Sequence, residues 1–108
     1  MFKNSCLLFF LGIGLSLSAQ AADEFKLIIK NHRFEPEIVK VPSGKKIHLM
    51  IENQDKAPEE FESYDLNREK IIPGGSKAVV RIGPLKPGSY GFIGEFNSKT
   101  AHGKIIAE

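Results

Sequence analysis

The sequence predicts an all-β fold: a Greek-key antiparallel β-sandwich of about seven strands, formed as a single domain by residues 22–108. Three observations predict it. Apolar and polar residues alternate with the period of a half-buried strand. Pro- and Gly-containing turns interrupt the chain roughly every 8 to 12 residues. No apolar stripe follows the 3.6-residue repeat of a helix.

The strands follow in order. FKLIIK (25–30) sets Phe25, Leu27 and Ile29 against Lys26 and Lys30. EIVKV (37–41) follows Pro36 and stops at Pro42-Ser43-Gly44, a turn signal. KIHLMIEN (46–53) turns Ile47, Leu49 and Ile51 inward and leaves His48 and Met50 on the outer side, so His48 is expected in solvent. REKII (68–72) ends at Pro73-Gly74-Gly75, and its Glu69 is expected to pair with Lys or Arg across the sheet. KAVVRIG (77–83) ends at Gly83-Pro84, and SYGFIG (89–94) begins after Pro87-Gly88, with Tyr90 and Phe92 as core residues. GKIIAE (103–108) closes the chain. The segments 54–67 and 95–102 read as connections rather than strands, and long connections in a small domain tend to carry function.

Residues 1–21 have a different character. Lys3 precedes an apolar run from Cys6 to Leu17, and Ala19-Gln20-Ala21 is the small-x-small pattern of a signal-peptidase site. The run is short of the roughly 20 residues that span a bilayer. A cleavable secretory signal is expected over 1–21, with the processed chain periplasmic and not itself transmembrane. The only cysteine, Cys6, lies within that leader, so residues 22–108 have no thiol for a disulfide or a metal. Any metal there must be held by His, Met, carboxylate or backbone oxygen. The formal net charge of +2 provides no strong field for nucleic acid.

The stretch APEEFESYDLNREK (57–70) crowds Glu59, Glu60, Glu62, Asp65 and Glu69 together. One reading is a solvated surface segment balancing nearby cations. The other is a cation site, because like charges held close raise a pKa or call for a counter-ion.

Beyond these patterns, FEPEIVKVPSGKKIHLMIEN, an Asn-x-Asp turn, Lys-Pro-Gly-x-Tyr-x-Phe and a final Gly-x-Ile resemble the cupredoxin family across residues 25–108. The resemblance implies a Greek-key sandwich with a copper site at one end. It places Glu59, Gly94, Ser98 and Ala101 where the family has His, Cys, His and Met. A blue-copper electron carrier needs a copper–thiolate bond, so that activity is not expected. APEEFES, EKIIPG, IGPLKPG and YGFIGEF resemble more narrowly the periplasmic cupredoxin-like proteins of bacterial ferrous-iron uptake systems.

That narrower resemblance implies a protein that binds iron, with copper as an alternative or additional ion, and delivers it or helps oxidise it. The implied partners are an inner-membrane iron permease and a periplasmic copper-binding protein. The same fold would bring 54–67 and 95–102 to one pole, where Glu59 and Glu60 could face Glu95 and His102. His32, beside Glu35 in the first turn, is a further candidate ligand. The expected site is thus Glu59, Glu60, Glu95, His102 and His32 around one cation, with Fe(II) held by Glu59, Glu60 and His102. Carboxylates favour the harder Fe(III), which would assist oxidation. The alternatives are a metal-free module docking a partner through its acidic loop, and a periplasmic copper carrier.

Overall fold

The computed structural model describes residues 22–108; the expected leader, 1–21, lies outside them. Nine strands form two sheets: β1 (Asp23–Lys30), β2 (Arg33–Glu35), β3 (Ile38–Val41), β4 (Ile47–Asn53), β5 (Glu59–Ser63), β6 (Arg68–Ile72), β7 (Lys77–Ile82), β8 (Gly88–Gly94) and β9 (His102–Ala107). One sheet has the order β2-β1-β4-β7 and the other β3-β9-β8-β5-β6. All seven expected segments are strands. The sandwich is not purely antiparallel, because β1 runs parallel to β4 and β3 parallel to β9. The chain crosses from β2 in one sheet to β3 in the other and back to β4, which enters beside β1 pointing the same way.

Two strands depart from the sequence reading. β2 is the return arm of a hairpin whose turn residues, Asn31 and His32, both have positive φ (53° and 57°). Asn tolerates that region well, and two such residues match the twist of a two-residue hairpin. β5 lies inside the segment expected to be a loop. It is an interior strand between β8 and β6, pairing Glu62 with Glu69 on one side and Phe61 with Gly94 on the other. The Glu62–Glu69 pairing also replaces the expected cross-sheet pairing of Glu69 with a cation. His48, expected in solvent, is half-buried between Glu24 and Arg81 in the β1-β4-β7 ladder.

The inner faces of both sheets supply the core. Leu27, Ile29, Ile47, Leu49 and Ile51 face Phe61, Ile72, Phe92 and Ile105 among others, all essentially without solvent contact. Toward one pole the sheets are joined by three rings. Phe34 of β2 meets Phe92 edge-on at 5.0 Å and Phe61 at 6.2 Å, while Phe61 and Phe92 lie 5.2 Å apart. Such edge-to-face pairs add about 0.5–1.5 kcal/mol beyond the apolar area they bury.

Phe61→Ala should therefore destabilise the domain by about 3–5 kcal/mol, the range for deleting a buried aromatic. Urea unfolding monitored by circular dichroism checks it, with Ile38→Ala as a control expected near zero because Ile38 is 51% exposed on β3 at the sheet edge.

Candidate functional site

The pole beyond the three rings is held by polar side chains from four segments, which also engage the backbone of the β1–β2 turn. Asn53, fully buried at the end of β4, donates its amide to the carbonyls of Ala57 (2.9 Å) and Ile72 (3.0 Å) and accepts from Asp55 N–H (3.0 Å). Asp55 in turn accepts from both N–H groups of the β1–β2 turn, Asn31 at 2.8 Å and His32 at 2.9 Å. The His32 carbonyl accepts from the Thr100 hydroxyl in the β8–β9 connection. That connection, residues 95–101, begins as a 3-10 turn over Glu95–Asn97.

Glu59 completes this belt. It is the first residue of β5, points inward and is 2% exposed. Its Oε1 accepts from the N–H groups of Glu60 and Phe96, both at 2.9 Å, and its Oε2 accepts from the Asn97 side-chain amide at 2.9 Å. Buried carboxyls are costly unless hydrogen-bonded, and here three donors replace water. Gly94 makes room for it: a Cβ at 94 would lie 2.7 Å from Glu59 Cδ, Glu59 Oε2 and Ala101 Cβ. Glu59, Gly94 and Ala101 thus occupy one small volume.

The opposite face of β5 has another chemistry. Glu60 and Glu62 alternate outward, Glu62 sits across from Glu69 of β6, and Glu95 follows directly on β8. Contact with Glu69 raises the Glu60 carboxyl above its ordinary value, helped by partial desolvation and by the charges of Glu69, Glu62 and Glu95. Glu62 is raised first by desolvation and then by contact with Glu95. The charge of Glu62, then that of Glu95, raises the Tyr64 phenol. The Lys26–Glu52 ion pair at 3.2 Å and the approach of His32 to Asp55 at 3.7 Å, both among the described residues, leave these four carboxyls out.

His102 also faces outward. It is the first residue of β9, paired with Ile93, which is in turn paired with Glu62. A depression of about 340 Å³ on this face is lined by Glu62, Tyr64, Asp65 and His102, with Gly91 and Gly103 among its other walls. Beside it Ser63 donates to the Gly91 carbonyl (2.6 Å) and Asp65 accepts from Gly91 N–H (2.9 Å). These side chains continue the contact between β5 and β8 beyond the ladder pairs at Phe61 and Glu62.

The five expected ligands are therefore not gathered around one point. Glu59 and Glu60 are neighbours on a strand and face opposite sides of the sheet, as the two-residue period requires. Glu60 and Glu95 share the outer face, and His102 lies on it beyond Ile93. His32 stands at the pole, where its carbonyl meets Thr100 and where Glu95, Phe96 and Lys99 line a second depression of about 460 Å³ with it. Among the described residues no group of three or more His, Cys, Asp or Glu side chains is drawn together to hold a metal. The sequence reading placed Glu62 and Glu69 in the acidic cluster but left both out of the expected ligand set. Their signal was the alternation of Glu60, Glu62 and Phe61, which marks a strand.

The two-sheet sandwich, with its connections tied together at one pole, agrees with a cupredoxin-like domain. The chain belongs to the family of the Cupredoxin-like domain, whose profile matches residues 5–107. A relative from Rickettsia prowazekii (strain Madrid E), Uncharacterized protein RP394, is 49% identical over 83 residues, covering 77% of this chain. This chain spans 66% of that relative's length. Among solved structures, a copper binding protein in its apo form is similar at 23% identity with a TM-score of 0.69, covering 79% of this chain and 86% of that one. The metal binding domain of the Cu(I)-exporting P-type ATPase CopA of Streptococcus pneumoniae D39 is similar at 13% and 0.67, covering 79% and 84%. Auracyanin A, a "blue" copper protein from Chloroflexus aurantiacus, is similar at 11% and 0.67, covering 79% and 98%. At these identities the structural likeness shows the fold.

A copper–thiolate centre of the kind the cupredoxin resemblance implies does not fit the residues around Glu59. Residues 22–108 contain no thiolate. Glu59 already accepts three hydrogen bonds, and Gly94 and Ala101 close around it without a donor side chain.

The outer carboxyls give a pH dependence of defined sign. Raised folded-state values mean that Glu60 and Glu62 keep protons in the folded protein where the unfolded chain has released them. Stability falls as pH rises from the ordinary value of 4.5 through the raised values, and the loss persists above them. Glu69→Gln is expected to raise the melting temperature by at most about 2–3 °C at neutral pH, because exposed charges are screened, and to have less effect well below 4.5. Thermal melts across pH check this, and NMR titration should find the Glu60 carboxyl returned toward its ordinary value.

Proposed function

We propose that this chain handles iron in the periplasm during ferrous-iron import, offering the outward Glu60, Glu62, Glu69 and Glu95 as a shallow oxygen-donor surface from which the ion passes to an inner-membrane permease. The observation that supports this reading is that four carboxyls, from β5, β6 and the start of the 95–101 connection, share one outer face and act on one another there. Hard oxygens suit Fe(II) and, more strongly, Fe(III). The exposed side chains would gather around an arriving ion, since no finished cage stands among the described residues. Weak, open coordination suits transfer rather than storage. Preference for Fe(III) favours oxidation thermodynamically, with the electron leaving to dioxygen or to copper on a separate periplasmic protein. Export through a leader at 1–21 belongs to the same proposal. Among the described residues no helix is long and apolar enough to cross a membrane.

A second reading has its own support. Tyr64 (78% exposed) and Ile71 (55% exposed) lie on or beside the acidic face, a mixture that suits a basic protein partner without any metal. Calorimetric titration of residues 22–108 with Fe(II) under anaerobic conditions, and with Fe(III), Cu(II) and Zn(II), separates the two. The iron reading expects binding of iron that weakens about tenfold or more in Glu62→Gln/Glu69→Gln, equivalent to at least about 1.4 kcal/mol. Silence for every ion favours the docking module. Copper binding with no iron binding would make the chain a copper carrier instead.

A further inference from the structure

We infer that the Glu59 carboxyl takes over the cross-bracing that a metal would supply at this pole, so that the 95–101 connection is held in place from within and the pole is closed to copper. The inference concerns the inner face of β5 and is independent of any metal on the outer one. Three features carry it. The carboxyl is anchored on an interior strand of one sheet and is essentially without solvent contact. It reaches across to the 95–101 connection, accepting from Phe96 N–H and from the Asn97 amide at 2.9 Å each. The surrounding space is filled, since even a methyl group on Gly94 would sit 2.7 Å from the carboxyl carbon and from Ala101 Cβ.

A metal at such a place would join β5 to this connection through coordinate bonds. Glu59 makes the same join through hydrogen bonds, with one oxygen shared between its own strand and the connection and the other committed to Asn97. Asn97 and Thr100 continue the brace, because the Asn97 carbonyl accepts from the N–H groups of Thr100 (3.1 Å) and Ala101 (2.8 Å), and the Thr100 hydroxyl reaches His32. Removing the carboxyl leaves the Phe96 N–H and the Asn97 amide without their acceptors, and the turn they organise comes loose. Glutamine keeps an oxygen for Phe96, and Asn97 can turn its amide over to meet the new NH₂.

Amide hydrogen exchange by NMR on residues 22–108 tests this. In the wild type, Phe96 and Ala101 should be protected, and neither EDTA nor Cu(II) should change that protection. In Glu59→Ala, exchange at Phe96 should accelerate about tenfold or more, in line with leaving a buried N–H without its acceptor, while amides of the β1–β4 ladder stay protected. In Glu59→Gln, Phe96 should remain close to wild type. Rapid exchange at Phe96 in the wild type would overturn the inference. So would unchanged exchange in Glu59→Ala, or paramagnetic broadening of Phe96 and Ala101 by Cu(II) ahead of surface residues. If Glu59→Ala does not fold, the wild-type protection, its indifference to Cu(II) and the Glu59→Gln result still decide the question.

Discussion

The two-residue period of one strand divides this protein's acidic segment into two unrelated chemistries. Successive side chains on β5 point to opposite faces. Glu59 therefore enters the pole with Phe61 and Ser63, while Glu60 and Glu62 face solvent. Shifting β5 by one residue would put Glu60 and Glu62 inside and Phe61 in water, exchanging every contact at once. The register is held by Phe61 against Phe34 and Phe92, by the pairing of Phe61 with Gly94, and by the hydrogen bonds Glu59 finds only when it faces inward.

Three buried polar residues mark that interior: Asn53, Glu59 and Ser63. Each is tied to backbone groups. Asn53 joins the end of β4 to Ile72 on β6, Ser63 joins β5 to Gly91 on β8, and Glu59 joins β5 to Phe96. A net hydrogen bond contributes about 0.5–1.5 kcal/mol, but an unmet buried donor or acceptor costs about 1–3 kcal/mol. In this arrangement of strands and connections each of the three finds its partners. With no cysteine in residues 22–108, the domain depends on such constraints as well as on its apolar core.

Much of the fold was legible because seven of its strands carry clean alternation bounded by Pro and Gly. The resemblance over residues 25–108 agreed with that reading. β2 was hidden by its length: three residues with one buried side chain, Phe34, show no period. β5 was hidden by composition, because Glu is depleted in strands and an inward Glu59 breaks the apolar side of the alternation. The placing of His32 and the 95–101 connection at one pole came with the family resemblance and not from the strand pattern; the separation of Glu59 from Glu60 depends on a strand, not a loop, carrying them. His102 is a similar case. One position earlier, Ala101 faces the pole and is fully buried, and the strand parity then sends His102 outward.

The division at β5 also shapes what a cation could meet. A site inside the pole would have to break the Glu59 hydrogen bonds and find volume beside Gly94 and Ala101, where a single added carbon already collides. The outer face imposes no such cost. Its carboxyls already repel one another, so a bound cation would relieve a strain the fold carries in its absence. A basic protein surface would relieve the same repulsion at Glu60 and Glu62. On the proposed reading, the closed pole and the open acidic face are complementary: hydrogen bonds that need no metal hold the start of the 95–101 connection, and with it Glu95, against β5. That leaves the ion coordinated only by side chains that can release it.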